Sequence, residues 1–222
     1  MMVGENLHSV KATLKPNVRL VAVSKYHPVE ALQEAYDAGQ RMFGESHVQE
    51  LVAKQEVLPK DIEWHFIGHL QPNKVKYIAP FIRLIHSVDS AKLLKEINKQ
   101  AQKAERVVDV LLQIHVAMEE TKFGFTPEEV IAMLEDGAWK ELKHVRIVGL
   151  MAMATNTDDE AQIAGEFERV SQLFQMLKKG VFAANPEFKE LSMGMSGDYL
   201  IAQEHGSTLV RVGSMIFGER HL

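Results

Sequence analysis

The sequence predicts a (β/α)₈ barrel, an α/β TIM-type fold built as a single domain over residues 1–222. Three observations predict it. Short aliphatic or β-branched runs alternate with longer helical patterns from end to end, which implies parallel strands joined by right-handed crossovers. Eight such units in roughly 200 residues suit a closed barrel better than an open doubly wound sheet. No linker, low-complexity tract, internal repeat or shift in composition divides the chain.

The elements follow in order. Leu20 to Val23 reads as the first strand, and Pro28 to Ala38 as a helix with proline at its start. The stretch before that strand is short, so a leading helix is expected to be reduced or missing. Arg41 to Phe43 is a second strand, stopped by Gly44 and followed by a helix from Val48 to Lys54. Trp64 to Ile67 is a third strand, Gly68 ends it, and a helix near Asn73 to Ala79 comes next. Ile82 to His86 is the fourth. Ser90 then caps a helix reaching Ala104, with Leu93, Leu94, Ile97 and Ala101 at helical spacing. Val107 to Val116 is the fifth strand. Thr126-Pro127-Glu128-Glu129 starts the next helix, threonine as cap and proline in the first turn. Val145 to Leu150 is the sixth strand. A long helix from Asp159 to Lys179 carries Ile163, Phe167, Val170, Phe174 and Leu177 on one stripe. Glu190 to Met193 is a short seventh strand and Leu209 to Val212 the eighth.

Composition narrows the function. Hydrophobic residues are 46% and charged residues 25%, the balance of a soluble globular chain able to bury a core unaided. The net charge of −5 comes from 25 basic and 30 acidic residues mixed along the chain, which leaves no basic stripe for nucleic acid. There is no cysteine, which excludes disulfides, thiolate metal sites and cysteine nucleophiles. The longest apolar run, from Val107 to Met118, is broken by Asp109, Gln113 and His115 and is too short to span a membrane. The N-terminus lacks a signal-peptide layout, so a cytoplasmic location is expected.

In a barrel the chemistry sits at the C-terminal ends of the strands. Lys25 stands there, directly after the Leu20-Val21-Ala22-Val23-Ser24 run. A strand-end lysine either marks where a strand surfaces or forms Schiff bases with carbonyl compounds, pyridoxal phosphate among them. Phosphate sites in this fold come from the loops after strands seven and eight. Here those loops hold Ser196-Gly197-Asp198 and Gly213-Ser214. Each offers glycine for close backbone approach and a hydroxyl ahead of a helix, although the first also reads as a simple turn and cap. Period-two alternation groups Leu209, Arg211 and Gly213 on one face of strand eight, and Val21, Val23 and Lys25 on one face of strand one. With Val210 and Val212 toward the helices, Arg211 points into the barrel, where a guanidinium needs acceptors. It then either faces a ligand shared with Lys25 or forms an internal salt bridge, for example with Glu45. The ten histidines include no His-Glu-x-x-His pair, and His65 and His69 are a poor metal site. No nucleophile elbow, Walker loop or dinucleotide fingerprint is present. Met151-Ala152-Met153 reads as wall packing.

Several segments in order carry a resemblance: Ala22-Val23-Ser24-Lys25, Phe43-Gly44-Glu45, Trp64-His65-Phe66-Ile67-Gly68 with Leu70-Gln71 and Asn73-Lys74, and His86-Ser87-Val88-Asp89. Lys122-Phe123-Gly124, Gly149-Leu150-Met151, Leu191-Ser192-Met193-Gly194-Met195-Ser196 and Arg211-Val212-Gly213 follow. Over nearly the whole chain these resemble the pyridoxal-phosphate homeostasis proteins. The resemblance implies the fold type III barrel of the alanine racemase N-terminal domain, with pyridoxal 5′-phosphate as cofactor. It implies that Lys25 holds the cofactor as an internal aldimine and that Ser196, Gly197, Gly213 and Ser214 hold its phosphate. Arg211 then faces the pyridine nitrogen and keeps it unprotonated, so the cofactor is held rather than strongly activated. The amine must also lie below its unperturbed pKa of about 10.4, which desolvation and the Arg211 charge both favour. The resemblance implies a ring contact at position 46, where this chain departs from the family: Ser46 stands in place of the usual asparagine, and His47 in place of the tyrosine that often follows.

The resemblance implies a non-catalytic carrier that buffers and delivers pyridoxal phosphate, with pyridoxal-phosphate-dependent apo-enzymes as partners. The alternative is an amino-acid racemase-like enzyme on the same barrel. Racemisation requires a second acid/base opposite the lysine, in the related racemases a tyrosine from an added β-domain of the partner subunit. The chain ends about ten residues after strand eight, so no such domain is expected, and a monomer is. Parity turns Tyr26 away from Lys25, Tyr36 and Tyr77 fall on outer helices, and Tyr199 stays open as a candidate. A barrel for another phosphorylated metabolite needs only the Ser196 and Ser214 loops and leaves Lys25 and Arg211 without a role.

Overall fold

The structure, a computed structural model, describes residues 2–118 and 123–219. Eight parallel strands close in sequence order, each hydrogen-bonded to the next and the last to the first. They are β1 (Arg19–Val23), β2 (Met42–Glu45), β3 (Glu63–Phe66), β4 (Leu84–Val88), β5 (Val108–Ile114), β6 (Val145–Ala152), β7 (Glu190–Ser192) and β8 (Leu209–Val212). The helices are α1 (Val3–Ala12), α2 (Val29–Asp37), α3 (Val48–Val57), α4 (Val75–Ile78), α5 (Ala91–Lys103), α6 (Pro127–Asp136), α7 (Glu160–Lys179), α8 (Tyr199–Glu204) and α9 (Ser214–Phe217). The barrel expectation stands, and so does the place of every strand to within a few residues.

Two expectations need correction. A leading helix is present: α1 buries Leu7 and Val10, and Asn6 donates to the carbonyl of Ile216 at 3.0 Å, which seats it under α9. The apolar pair at helical spacing is enough, although the segment before β1 is short. The fourth strand begins at Leu84 rather than Ile82, because the Ile82 amide still donates to Ile78 in the turn that leaves α4 and its carbonyl accepts from the Arg106 side chain.

The helix starts behave as their sequences require. Ser90 accepts from the Leu93 amide at 3.1 Å. Thr126 and Glu129 form a reciprocal capping box ahead of Pro127, satisfying two otherwise orphaned N–H groups. The α7 stripe is buried as its spacing demands, and Glu166 joins it to hold the amide and hydroxyl of Thr155.

Strand parity divides the apolar residues into two layers. Ala22, Phe43, Phe66, Ile85, Val110, Leu191, Val210 and Val212 pack outward against the helices. Val21, Leu84, Leu111, Val148, Met151 and Leu209 fill the barrel. Met151 is therefore wall packing, as its sequence suggests. The N-terminal end is closed by charge: Asp109 accepts from Arg83 at 2.6 Å and from Arg146 at 2.7 Å, and Arg19 meets Glu190. The C-terminal end carries the loops in which the candidate site lies.

Candidate functional site

The β1–β8 register pairs Val21 with Arg211, so the inward sets of the two strands run side by side. Val21, Val23 and Lys25 continue one line up β1, while Leu209, Arg211 and Gly213 continue the other up β8. Lys25 lies half-buried in the turn two residues past the end of β1, and Arg211 lies below the rim at 3% exposure.

Arg211 is held by neutral groups. It donates to Ser192 Oγ at 2.6 Å and to the Ala152 carbonyl at 3.1 Å. Among the described residues no carboxylate forms an ion pair with it. Glu45, offered as an internal partner, lies on the outer face of β2 and pairs with Lys54 instead, because Gly44 rather than Glu45 belongs to the inward set. Burial lowers the Arg211 pKa to about 10, so it keeps its charge at neutral pH.

Behind Arg211 a polar chain crosses the barrel. Ser192 Oγ meets His86 Nδ1 at 2.8 Å, and His86 Nε2 meets His65 Nδ1 at 2.9 Å. Both imidazoles are buried, and desolvation pushes their pKa values down, that of His65 to about 3 and that of His86 well below the usual value. They are neutral at physiological pH. His65 is thus a core histidine rather than half of a metal pair. His69 lies apart, 3.2 Å from Asp89 and stacked on Phe123. No cluster of three or more potential metal ligands occurs among the described residues.

The loops after β7 and β8 are joined. The Gly213 amide donates to Ser196 Oγ at 3.3 Å, and the Arg211 amide donates to the Gly194 carbonyl at 2.9 Å. Asp198 accepts from the Met195 amide at 2.6 Å and closes the first loop on itself. Gly194 has φ +100°, and a Cβ there would meet Ala202 Cβ at 2.7 Å and Tyr199 Cα at 2.8 Å. A Cβ on Gly213 would meet the carbonyl of Val23, two residues before Lys25, at 2.8 Å. Gly197 and Ser214 are exposed at the mouth. The amides of Ser196, Gly197 and Ser214 donate to no group among the described residues, which leaves three N–H donors for an anion.

The remaining candidates separate clearly. Ser46 is half-buried in the inward set of β2, and Gly68 passes so close that a Cβ would meet the Ser46 carbonyl at 2.3 Å. Tyr199 points outward and shares a hydrogen bond of 2.9 Å with Thr13, which removes it from the barrel mouth. Tyr36 binds Asp61 at 2.7 Å on the outer layer. The Tyr26 hydroxyl is turned toward His47, 3.4 Å away. Lys122 lies outside the described residues. A cavity of about 120 Å³ at the N-terminal end is lined by Arg19, Arg83, Asp109 and Glu190, whose charges are paired with one another. The roles of His86 and Ser192 are absent from the sequence reading, although strand parity places both inside. Lys54 and Glu50 were missed too, although their i,i+4 spacing is visible on α3.

Fold and site together define a class: a closed barrel with a lysine in the turn after β1, an inward arginine on β8, and joined glycine- and serine-bearing loops after β7 and β8. Residues 3–221 match the family described as alanine racemase, N-terminal domain. Two pyridoxal phosphate homeostasis proteins are each 41% identical to this chain. For that of Schizosaccharomyces pombe the match covers 92% of this chain and 85% of the relative, and for that of Aquifex aeolicus 91% and 87%. The solved structure of PipY from Synechococcus elongatus with pyridoxal phosphate bound superposes with a TM-score of 0.87 at 37% identity, over 97% of this chain and all of that one. An alanine racemase from Clostridium difficile shares the fold at 15% identity and a TM-score of 0.78, over 98% of this chain and 56% of its own. The chain belongs to the pyridoxal phosphate homeostasis proteins of the alanine racemase N-terminal domain family.

Proposed function

We propose that this chain binds pyridoxal 5′-phosphate at the C-terminal mouth of its barrel and takes part in homeostasis of that cofactor, buffering it and delivering it without turning over amino acids. The observation that carries the reading is Arg211. It is a buried guanidinium that forms no ion pair among the described residues, propped by neutral groups and with the Asp198 charge acting on it, on an inward line beside the strand that leads to Lys25. A barrel for some other phosphorylated metabolite leaves that arrangement unexplained.

The residues present fit the cofactor. Lys25 supplies an amine for a Schiff base with the aldehyde, with loss of one water. The amides of Ser196, Gly197 and Ser214, with the Ser196 and Ser214 hydroxyls and close backbone approach at Gly213, suit a phosphate dianion. Arg211 would serve as a hydrogen-bond donor to the cofactor's pyridine nitrogen rather than as an acid, and Ser46 would be available to hold the ring. Bound there, the cofactor supplies an electron sink, weakened by an arginine in place of an acid.

The same geometry argues against racemisation. A two-base reaction needs an acid facing the lysine across the cofactor. Tyr36 and Tyr199 are engaged on the outer layer, and the Tyr26 hydroxyl faces His47. We further propose that the protein is a cytoplasmic monomer that hands its cofactor to pyridoxal-phosphate-dependent apo-enzymes. Among the described residues no helix is long and apolar enough to cross a membrane.

Substitution of Lys25 tests the reading. Lys25→Ala is expected to abolish the near-visible absorbance of the bound cofactor and to leave weak, phosphate-dependent binding. Absorbance unchanged in that variant contradicts the assignment. Incubation of loaded protein with alanine in heavy water should leave the α-hydrogen unexchanged, and rapid exchange would move the racemase-like alternative to the front.

A further inference from the structure

We infer that Lys54, Glu45 and Glu50, on the outer side of the barrel wall, form the device that positions Lys25 toward the cofactor. The inference rests on the proposed function and deepens it. Lys54 is 5% exposed, and its ammonium donates to three oxygens: the Ser24 carbonyl at 2.8 Å, Glu45 Oε1 at 2.7 Å and Glu50 Oε1 at 2.7 Å. Glu50 Oε1 also accepts from the Tyr26 amide at 2.6 Å. Ser24 Oγ donates to Glu45 Oε1 at 2.6 Å, and the Ser24 amide donates to the Gly44 carbonyl at 3.0 Å.

These bonds fall on the two peptide groups that flank Lys25. The carbonyl before it is held by Lys54 and the amide after it by Glu50, so one buried ion cluster grips the backbone on both sides. The next residue shows why a grip is required. Tyr26 has φ +67°, a left-handed conformation that is strained for a bulky side chain and persists only where its surroundings enforce it. Burying a lysine with two carboxylates is itself costly, and apolar side chains would fill the same space at least as favourably. Glu45 Oε2 is buried with no hydrogen-bond partner among the described residues, so the cluster is not arranged for maximum stability. What it provides is a fixed end to β1. No member needs to touch the cofactor: Lys54 and Glu50 are positioning residues that act through the backbone.

The chemical step they serve is balanced. The unprotonated amine of Lys25 would bond the aldehyde carbon with loss of one water, and nothing is oxidised or reduced. Borohydride then delivers a hydride and fixes the link.

Glu50→Ala removes the acceptor of the Tyr26 amide and leaves the Lys54–Glu45 pair, while Glu50→Gln keeps an acceptor oxygen. In cofactor-free protein, hydrogen exchange at the Tyr26 amide is expected to accelerate about tenfold or more in the alanine variant and to return toward wild type in the glutamine variant. The rate of borohydride-trapped capture on Lys25 should fall about tenfold or more in the alanine variant. Affinity for pyridoxamine 5′-phosphate, which has no aldehyde, should not change. Capture at the wild-type rate in Glu50→Ala overturns the inference. Parallel loss of pyridoxamine phosphate affinity overturns it as well, because the whole site would then have been damaged. Absence of capture on Lys25 in the wild type is a different result and sinks the proposed function itself.

Discussion

Arg211 is charged and buried, and two neutral histidines stand behind it. Each neutral imidazole has one donor and one acceptor nitrogen, so the chain admits an ordered arrangement. Arg211 donates to Ser192, Ser192 to His86 Nδ1, and His86 Nε2–H to His65 Nδ1. Protonating either ring places a second cation in a closed interior. The consequence for stability has a definite sign. Both folded pKa values lie below the unfolded value of about 6.5, so the unfolded chain binds more protons at mildly acid pH. The histidines therefore cost almost nothing above pH ~7, and both remove stability as pH falls, His65 by about 2 kcal/mol at pH ~5. Glu45, raised to about 7 by burial, acts in the opposite sense and gains stability over the same interval. Two histidines outweigh one carboxyl. Urea unfolding followed by the fluorescence of buried Trp64 should show a lower midpoint at pH 5 than at pH 7, and the loss should shrink in a His65→Gln, His86→Gln double variant. A midpoint that rises toward pH 5 contradicts neutral, buried histidines.

The elements bring the candidate residues together through backbone contact more than through side chains. Gly213 lies so close to the Val23 carbonyl that the loop after β8 and the end of β1, from which the chain runs on to Lys25, share one contact. Gly213→Ala should push them apart, weakening capture on Lys25 and affinity for pyridoxamine 5′-phosphate together, with a stability loss of about 1–3 kcal/mol. Wild-type affinity for both ligands would show that the two loops are independent. Parity made much of this legible beforehand: alternation alone placed Arg211, Val21 and Val23 inside and Val210 and Val212 outside, and the register bears this out. Alternation failed for the partner of Arg211, because Glu45 is one residue out of phase with the inward set of β2. The Lys54 cluster was hidden for another reason. Its bonds join α3 to the turn after β1, a meeting set by helix packing that no local pattern encodes.

At the scale of the molecule, the fold could be read because each strand and each helix obeys its own period, and the loop chemistry agrees. Ser90 and Thr126 cap where their sequences ask them to. The short α1 was underestimated because its burial depends on α9, more than two hundred residues away in the chain. The barrel fills its interior and caps its N-terminal end with paired charges, leaving the C-terminal mouth as the place where amide donors stay open. Light scattering should give a mass near the 25.0 kDa of one chain, with and without pyridoxal phosphate, and a stable dimer would contradict the proposed monomer. The most direct test of the central claim is borohydride reduction of protein loaded with pyridoxal phosphate, followed by peptide mass mapping. A single phosphopyridoxyl adduct on Lys25, with loss of the near-visible band, is the predicted result. No band, or adducts spread over surface lysines, would contradict it.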